Sequence, residues 1–454
     1  MFSTKKAGDI SSAFSFGVKD ELPAHYKDLK NQLRPSNIQE AWDRLIDVYE
    51  KESQEIQKAG SNAVPQVEYK DIEANNGSFP DHIVKAIRKT GCIVVRGVFD
   101  REEALGYKQQ VKDYISKHPG IKGYPADDPQ VWELYWTKGQ VAARSHPNFV
   151  AVSNAINKIW HASDETAIDL STNVAYCDRL RIRQPGDTSF ALGEHVDGGS
   201  VERWEDPEYR KCYQHILNGE WERYDPFDAT HRVDAVMDMY NCSGTLTFGR
   251  VHQKFAKNGR SFQGWVSLSD VKSPNGGTLK VCPLIKETTS YIMMRPLLSD
   301  LKDSSDMGGS RPGSQQLINE EQHPHIIKTM VTVPEVHPGD CVFWSADTVH
   351  AVEKECRNPT DSSVFYIPVA PLCAINSKYL RRQRDCFDGG YPVHSTPADF
   401  PGNHCELEFD DRAKPEDLTN LGRLGMGYTR FQETANMTEG QKQAINIANS
   451  HLFE

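Results

Sequence analysis

Positive charge is in short supply in this chain. Its 52 Lys and Arg stand against 63 Asp and Glu, a formal net charge of -11 over 454 residues. That balance disfavours nucleic acid and anionic membranes as partners, because both call for clustered cations. It still leaves room for a local basic pocket. Long apolar runs are missing as well: no stretch of eighteen apolar residues occurs, so no membrane-spanning helix is expected. The opening MFSTKKAGDISSAFSF lacks the apolar core of a secretory signal. The ten cysteines include no C-x-x-C pair and follow no zinc-ribbon or disulfide spacing. They read as reduced, buried small hydrophobes of a cytoplasmic protein.

What is present is a globular composition, 38% hydrophobic and 25% charged. Residues 1–79 read as an N-terminal arm and helix. Ser36 opens S-N-I-Q, a capping-box pattern with Gln39, and Trp42, Leu45, Ile46 and Tyr49 predict an amphipathic helix over 37–58. Next come a helical face at Ile83, Val84 and Ile87, a β-branched run at 92–99, and a helix capped by Asp100. The stretch 127–160 reads as helical. From about 175 short strand-like runs alternate with turns: 179–184, 244–251, 262–271, 277–284, 326–333, 341–345 and 363–370. This pattern predicts a mainly β, α+β chain with flanking helices, its strands in a sandwich or barrel. The main domain is expected over 80–430, with inserts at 200–240 and 300–325. Within the second insert, DSSDMGGSRPGSQQ (303–316) reads as a surface loop in preference to a lid. A helix capped by Asn376, a Pro-rich stretch and a helical tail within 431–454 complete the chain.

The chemistry concentrates in G-E-H-V-D-G-G-S, residues 193–200. On a strand, His195 and Asp197 fall on one face. Imidazole plus carboxylate is two-thirds of the facial triad that holds non-haem Fe(II) with open positions. A later strand should supply the missing imidazole, and H-P-G-D-C-V-F-W-S-A-D-T-V-H (337–350) offers His350. His337 precedes a turn, and His252, His323 and His325 sit in polar loops or near lysines, so they rank lower. A catalytic zinc uses a similar donor set; the residues alone leave the metal open.

These pieces resemble a known family. The order of H-x-D, N-G-G-T-L-K-V-C-P (275–283), H-P-G-D-C-V-F-W and a distal His is similar to Fe(II)/2-oxoglutarate dioxygenases, near the phytanoyl-hydroxylase-like branch. Residues 135–148, 195–232 and 368–402 resemble a bacterial and fungal dioxygenase-like family long catalogued as a domain of unknown function. That resemblance implies a double-stranded β-helix (jelly-roll, cupin-like) core, an Fe(II) held by His195, Asp197 and His350, and 2-oxoglutarate and O2 as co-substrates. Fungal members of the family include an oxidase that converts valine to an aziridine. The implied substrate is therefore a small aliphatic amino acid, with succinate and CO2 released.

The chain departs from the pattern in one respect. Related dioxygenases grip 2-oxoglutarate with an Arg ten to fourteen residues beyond the distal His, whereas residues 360–364 here are Thr, Asp, Ser, Ser and Val. Candidate anchors are Arg357, Arg181 and Arg183, with Arg250 as a further alternative and Ser362 or Ser363 adding a hydroxyl. For the substrate, Tyr135 is a candidate, and Gln140 and Arg144 share a helical face suited to an amino-acid carboxylate. Of Phe343 and Trp344, one should face the interior, and Phe343 is the candidate pocket wall. Two alternatives remain: a cupin-like hydrolase or isomerase with a non-redox metal, and a catalytically silent metal-binding protein.

Overall fold

The computed structural model describes residues 22–189, 191–197, 199–233, 260–312, 315–393 and 406–454. The expected strand 244–251, Arg250, His252 and most of the Pro-rich stretch lie outside these residues. The strands are β1 (Gln66–Glu68), β2 (Cys92–Arg96), β3 (Gly123–Tyr124), β4 (Val131–Trp132), β5 (Ile168–Asn173), β6 (Leu180–Arg183), β7 (His195–Val196) and β8 (Phe262–Ser267). They continue as β9 (Leu279–Val281), β10 (Gln316–Leu317), β11 (Val331–Thr332), β12 (Cys341–Ser345), β13 (His350–Val352), β14 (Ser362–Tyr366) and β15 (Pro371–Cys373). Together with many helices they make a mixed α+β fold.

One sheet of eight strands runs β1-β2-β12-β8-β14-β6-β4-β3, and one of five runs β10-β7-β13-β9-β11. Apart from the parallel pair β1/β2, neighbours in both sheets are antiparallel. The central strands β2, β12 and β8 are buried on both faces, and β2 and β12 are correspondingly almost wholly apolar. Alternation then assigns each side chain to a layer. Cys341 and Phe343 of β12 join Ile93, Val95, Val266, Phe365 and the helical residue Phe149 in one core. Val342 and Trp344 join Val94, Trp265, Val281 and Val364 in another. The second core lies between the sheets, where Gln263 of β8 reaches Asp197 at the end of β7.

The helix Ile38–Ala59 covers this core with Ile38, Ala41, Leu45, Tyr49, Ser53 and Ile56, one stripe at helical spacing. Tyr49 Oη pairs with Thr288 Oγ1 at 2.9 Å. Two short runs expected as something else are helices. Residues 25–33, inside the stretch read as an arm, form a helix whose buried Lys30 Nζ donates to the carbonyls of Leu301 and Asp306, each at 2.6 Å. The expected strand 326–333 starts as the helix Pro324–Thr329, because Pro324 presets the first helical φ. Only Val331–Thr332 pairs as a strand.

Three other expectations shift. The single helix expected over 127–160 is β4 followed by helices Lys138–Arg144 and Pro147–Asn157, separated where Pro147 cannot continue the first. Ser36 and Asn376 do not cap. The helix Ile38–Ala59 has Asn37 at its N-cap with no side-chain bond, and Asn376 lies inside the helix Ala374–Gly389, donating to Pro371 O at 2.7 Å. Asp100 caps Arg101–Lys117 as expected, accepting from Glu102 N. Of eight described cysteines seven are buried, and all eight are free thiols. No described helix is long and apolar enough to cross a membrane.

Candidate metal centre

His195 sits opposite His350 in the β7/β13 register, with β10 on the other side of β7. Residues paired across antiparallel strands project to the same face, so the two rings meet with centroids 4.2 Å apart. Asp197 lies two positions beyond His195, on that same face. Its Oδ1 is 3.5 Å from His195 Nε2 and its Oδ2 3.5 Å from His350 Nε2. One ligand atom from each of the three residues lies within 4.8 Å of the others, and all three side chains are buried. The chain therefore brings together the three residues singled out from sequence.

The protonation pattern shows what this cluster wants. His195 Nδ1 is 2.7 Å from Gly193 O, and His350 Nδ1 is 3.0 Å from Thr348 O. A carbonyl only accepts, so Nδ1 of each ring is the donor and Nε2 of each ring faces the carboxylate. Burial, and then the neighbouring His350, lowers the pKa of His195 to about 4, which keeps its ring neutral. The neutral His195 ring therefore turns an Nε2 lone pair toward the carboxylate, an arrangement that a cation between them would satisfy. Carbonyl-oriented imidazoles with free Nε2 are the usual arrangement of metal-bound histidines. The donor set fits a divalent transition metal held on one face, other positions remaining open.

Two amides hold the carboxylate. Gln263 Nε2 donates to Asp197 Oδ2 at 2.5 Å and Gln315 Nε2 to Asp197 Oδ1 at 2.7 Å. Gln315 belongs to the segment read as a surface loop, and that reading is corrected. Gln315 is buried, Gln316 pairs with Val196, and Arg311 N donates to Ser200 Oγ at 2.7 Å. The loop is built into the wall of the centre. Gly199, at φ 93°, makes the turn after Asp197 and presents its carbonyl to Arg203 Nη1 at 2.8 Å. Arg203 and Arg232, both from the first insert, flank Asp347 at 3.4 and 2.8 Å. This buried ion triad ties the insert to the connection that delivers His350.

Other sequence candidates take different places. Phe343 lies in the outer core against Phe149, with its ring over Gly264, where a Cβ would meet Phe343 Cδ1 at 2.4 Å. The inner aromatic is Trp344, whose ring centroid is 5.3 Å from that of His350. Ser363 also faces outward, donating to Asp361 at 2.7 Å beside Lys108 and Lys112; the inward hydroxyl is that of the buried Ser362. Arg357 is exposed and paired with Glu355 at 2.7 Å. Arg183 is fully buried, but its donors go to Asp187 and to the carbonyls of Gly277, Glu353 and Lys354. It fastens loops. Arg181 is buried on the inward face of β6, opposite Val364.

Tyr135, Gln140 and Arg144 are buried, and the hydrogen bonds that place them go to residues other than His195, Asp197 and His350. Gln140 and Arg144 do share a helix face, but it meets backbone. Gln140 Nε2 donates to Leu134 O and Asp178 O, and Arg144 to Tyr135 O and Asp178 O. Tyr135 packs beside Trp136 and Cys177 in a separate core. Gln263 was findable as a polar residue at an inward position of an apolar strand. Gln315, Arg203 and Asp347 carry no comparable local signal, since their roles come from contacts between distant segments.

Residues 20–428 match the Gig2-like family. The chain is 31% identical to YbiU of Escherichia coli (strain K12) over 432 residues, covering 90% of this chain and 98% of that protein. Among solved structures it is similar to GlcNAc Inducible Gene 2 of Candida albicans, at 29% identity, 96% coverage of each chain and a TM-score of 0.83. It is also similar to the protein JW0805 of Escherichia coli, at 29% identity, 90% and 99% coverage and a TM-score of 0.76. By that match and that relative the chain belongs to the Gig2-like family.

Proposed function

We propose that the chain is an Fe(II)/2-oxoglutarate-dependent oxygenase acting on an unactivated C–H bond of a small substrate. The observation that carries this reading is the centre itself: two imidazoles held at Nδ1 by backbone carbonyls with Nε2 turned inward and one amide-clamped carboxylate, all buried between two facing sheets. Such a pair of sheets suits a double-stranded β-helix. Bound there, Fe(II) supplies activation of O2 coupled to oxidative decarboxylation of 2-oxoglutarate, giving succinate and CO2.

The protein's own part is to bind, orient and keep water out. His195, Asp197 and His350 are the proposed metal ligands. Arg181 is the proposed anchor for the distal carboxylate of 2-oxoglutarate. It stands across from Val364, fourteen residues after His350, so a neighbouring strand brings a guanidinium to the region where related enzymes carry their Arg. Burial lowers the pKa of Arg181, as expected of a cation in a dry wall suited to an anion. Ser362, inward on β14 with a buried hydroxyl lacking a hydrogen-bond partner, is a second donor for that carboxylate. Trp344 forms an apolar wall beside His350.

The substrate class, a small aliphatic amino acid such as valine, extends this reading from the family resemblance, as do cyclisation to an aziridine and hydroxylation as outcomes. The test is succinate release from 2-oxoglutarate under Fe(II) and O2, with a mass screen of free amino acids. Loss of two hydrogens marks cyclisation or desaturation, and gain of one oxygen marks hydroxylation. A metal-loaded protein that releases no succinate, with or without amino acids, would sink the oxygenase reading in favour of a non-redox or silent metal site.

A further inference from the structure

We propose that the chain has a second small-molecule site, remote from the metal centre, that binds a small apolar carboxylic acid. The site is a cavity of about 130 Å³ bounded by helices Lys138–Arg144, Pro147–Asn157 and Asn420–Gly425 and by β5. Its walls are mostly apolar, with Trp136, Val141, Phe387, Leu418 and Met426 among them, and Arg144 is its one charged residue. These five apolar residues form their own core with Tyr135 and Cys177, distinct from the core that surrounds His195 and His350.

Arg144 makes the cavity more than a packing defect. Its side chain is 8% exposed. Nη1 donates to Tyr135 O at 2.5 Å and Nη2 to Asp178 O at 2.7 Å, while the buried Nε–H has no hydrogen-bond partner. Both acceptors are neutral carbonyls. The neighbouring carboxylates are engaged elsewhere. Asp178 faces Arg179 at 3.3 Å and Arg260 at 3.7 Å, and Glu406 accepts from Tyr135 N, Trp136 N and Tyr114 Oη. Arg144 thus has the Glu406 carboxyl nearby but no carboxylate hydrogen-bonded to it, and a buried guanidinium bonded only to neutral carbonyls with one N–H unmet is costly. A ligand carboxylate would satisfy both needs at once, as a charge-assisted acceptor.

Size and walls define the rest of the ligand. A dry cavity of about 150 Å³ admits a benzene-sized molecule, so this one suits a branched or cyclic body of a few carbons. Leu421 lines the cavity and is 39% exposed, which puts the rim at Asn420–Gly425. The same constellation accounts for Gln140 and Arg144 being buried without facing the metal centre: the guanidinium belongs to this cavity.

The test is titration of the full-length, metal-free protein with 3-methylbutanoate, followed by calorimetry and by Trp136 fluorescence. Saturable 1:1 binding is expected, and no saturable binding at millimolar concentration overturns the proposal. The neutral analogue 3-methylbutanamide should bind at least tenfold more weakly, and equal binding overturns the assignment of an anion to Arg144. Leu421→Trp, which fills the cavity from its exposed rim, should weaken 3-methylbutanoate at least tenfold, as should Arg144→Gln if it folds. Unchanged affinity in folded Leu421→Trp places the ligand elsewhere and overturns the site. His195→Ala should bind 3-methylbutanoate as the parent does; loss of binding there would move the ligand to the metal centre.

Discussion

Replacing Gln315 by alanine tests whether the second insert belongs to the metal centre. Gln315 supplies one of the two amide donors on the Asp197 carboxylate, at 2.7 Å, from a segment more than a hundred residues away in sequence. A hydrogen bond to a charged group contributes about 1.5–3 kcal/mol. Removing partners that orient metal ligands typically lowers metal affinity roughly 10- to 100-fold. Both estimates describe the same loss: without Gln315 the carboxylate loses one of its two amide donors, Gln263 remaining, and is held less firmly beside the imidazoles. Gln315→Ala should therefore bind Co(II) or Fe(II) roughly 10- to 100-fold more weakly. The assay is competition with a chromophoric chelator under anaerobic conditions, with circular dichroism to verify the fold. Unchanged or tighter metal binding in a folded variant would refute the clamp and return the loop to the surface.

Glu406 titrates in a window of its own. Burial raises its pKa to about 7 even though it accepts hydrogen bonds from backbone amides. The folded state then holds a proton that the unfolded state has released. That stabilising contribution is complete below the ordinary value of 4.5 and disappears as pH rises through about 7. Glu406→Gln should flatten the melting temperature across this window, and an identical pH slope in the variant would contradict the assignment. Arg181→Gln should raise KM for 2-oxoglutarate at least tenfold with little change in metal affinity; an unaltered KM would remove Arg181 as the anchor. Phe343→Ala should cost about 3–5 kcal/mol of stability and leave Fe(II) affinity within a few-fold of the parent, as measured by urea unfolding and metal titration. A large loss of metal binding in that variant would return Phe343 to the inner wall.

The three clustered residues were legible because two simple periodicities coincide. A period of two puts His195 and Asp197 on one face, and the long return through 337–350 brings His350 alongside. β12 was readable at both ends because CVFWS is a single buried run. Which of its faces points inward was not readable, because both faces are apolar and only tertiary packing separates Phe343 from Trp344. The same ambiguity left Ser362 and Ser363 undivided as hydroxyl candidates. Arg183 looked like an anchor because it lies on the strand before His195 and an arginine is the natural partner of a carboxylate. Its carbonyl partners at Gly277, Glu353 and Lys354 come from loops whose approach no local pattern encodes. Gln315 was hidden in a Gly- and Ser-rich segment that has the composition of an exposed loop.

Anaerobic Fe(II) titration of the parent chain and of His195→Ala and His350→Ala bears most directly on the convergence of these side chains. One tightly bound Fe(II) per chain is expected, with a visible charge-transfer band on adding 2-oxoglutarate, and both lost in either folded variant. Fe(II) bound equally well by both variants would mean that the ion sits elsewhere.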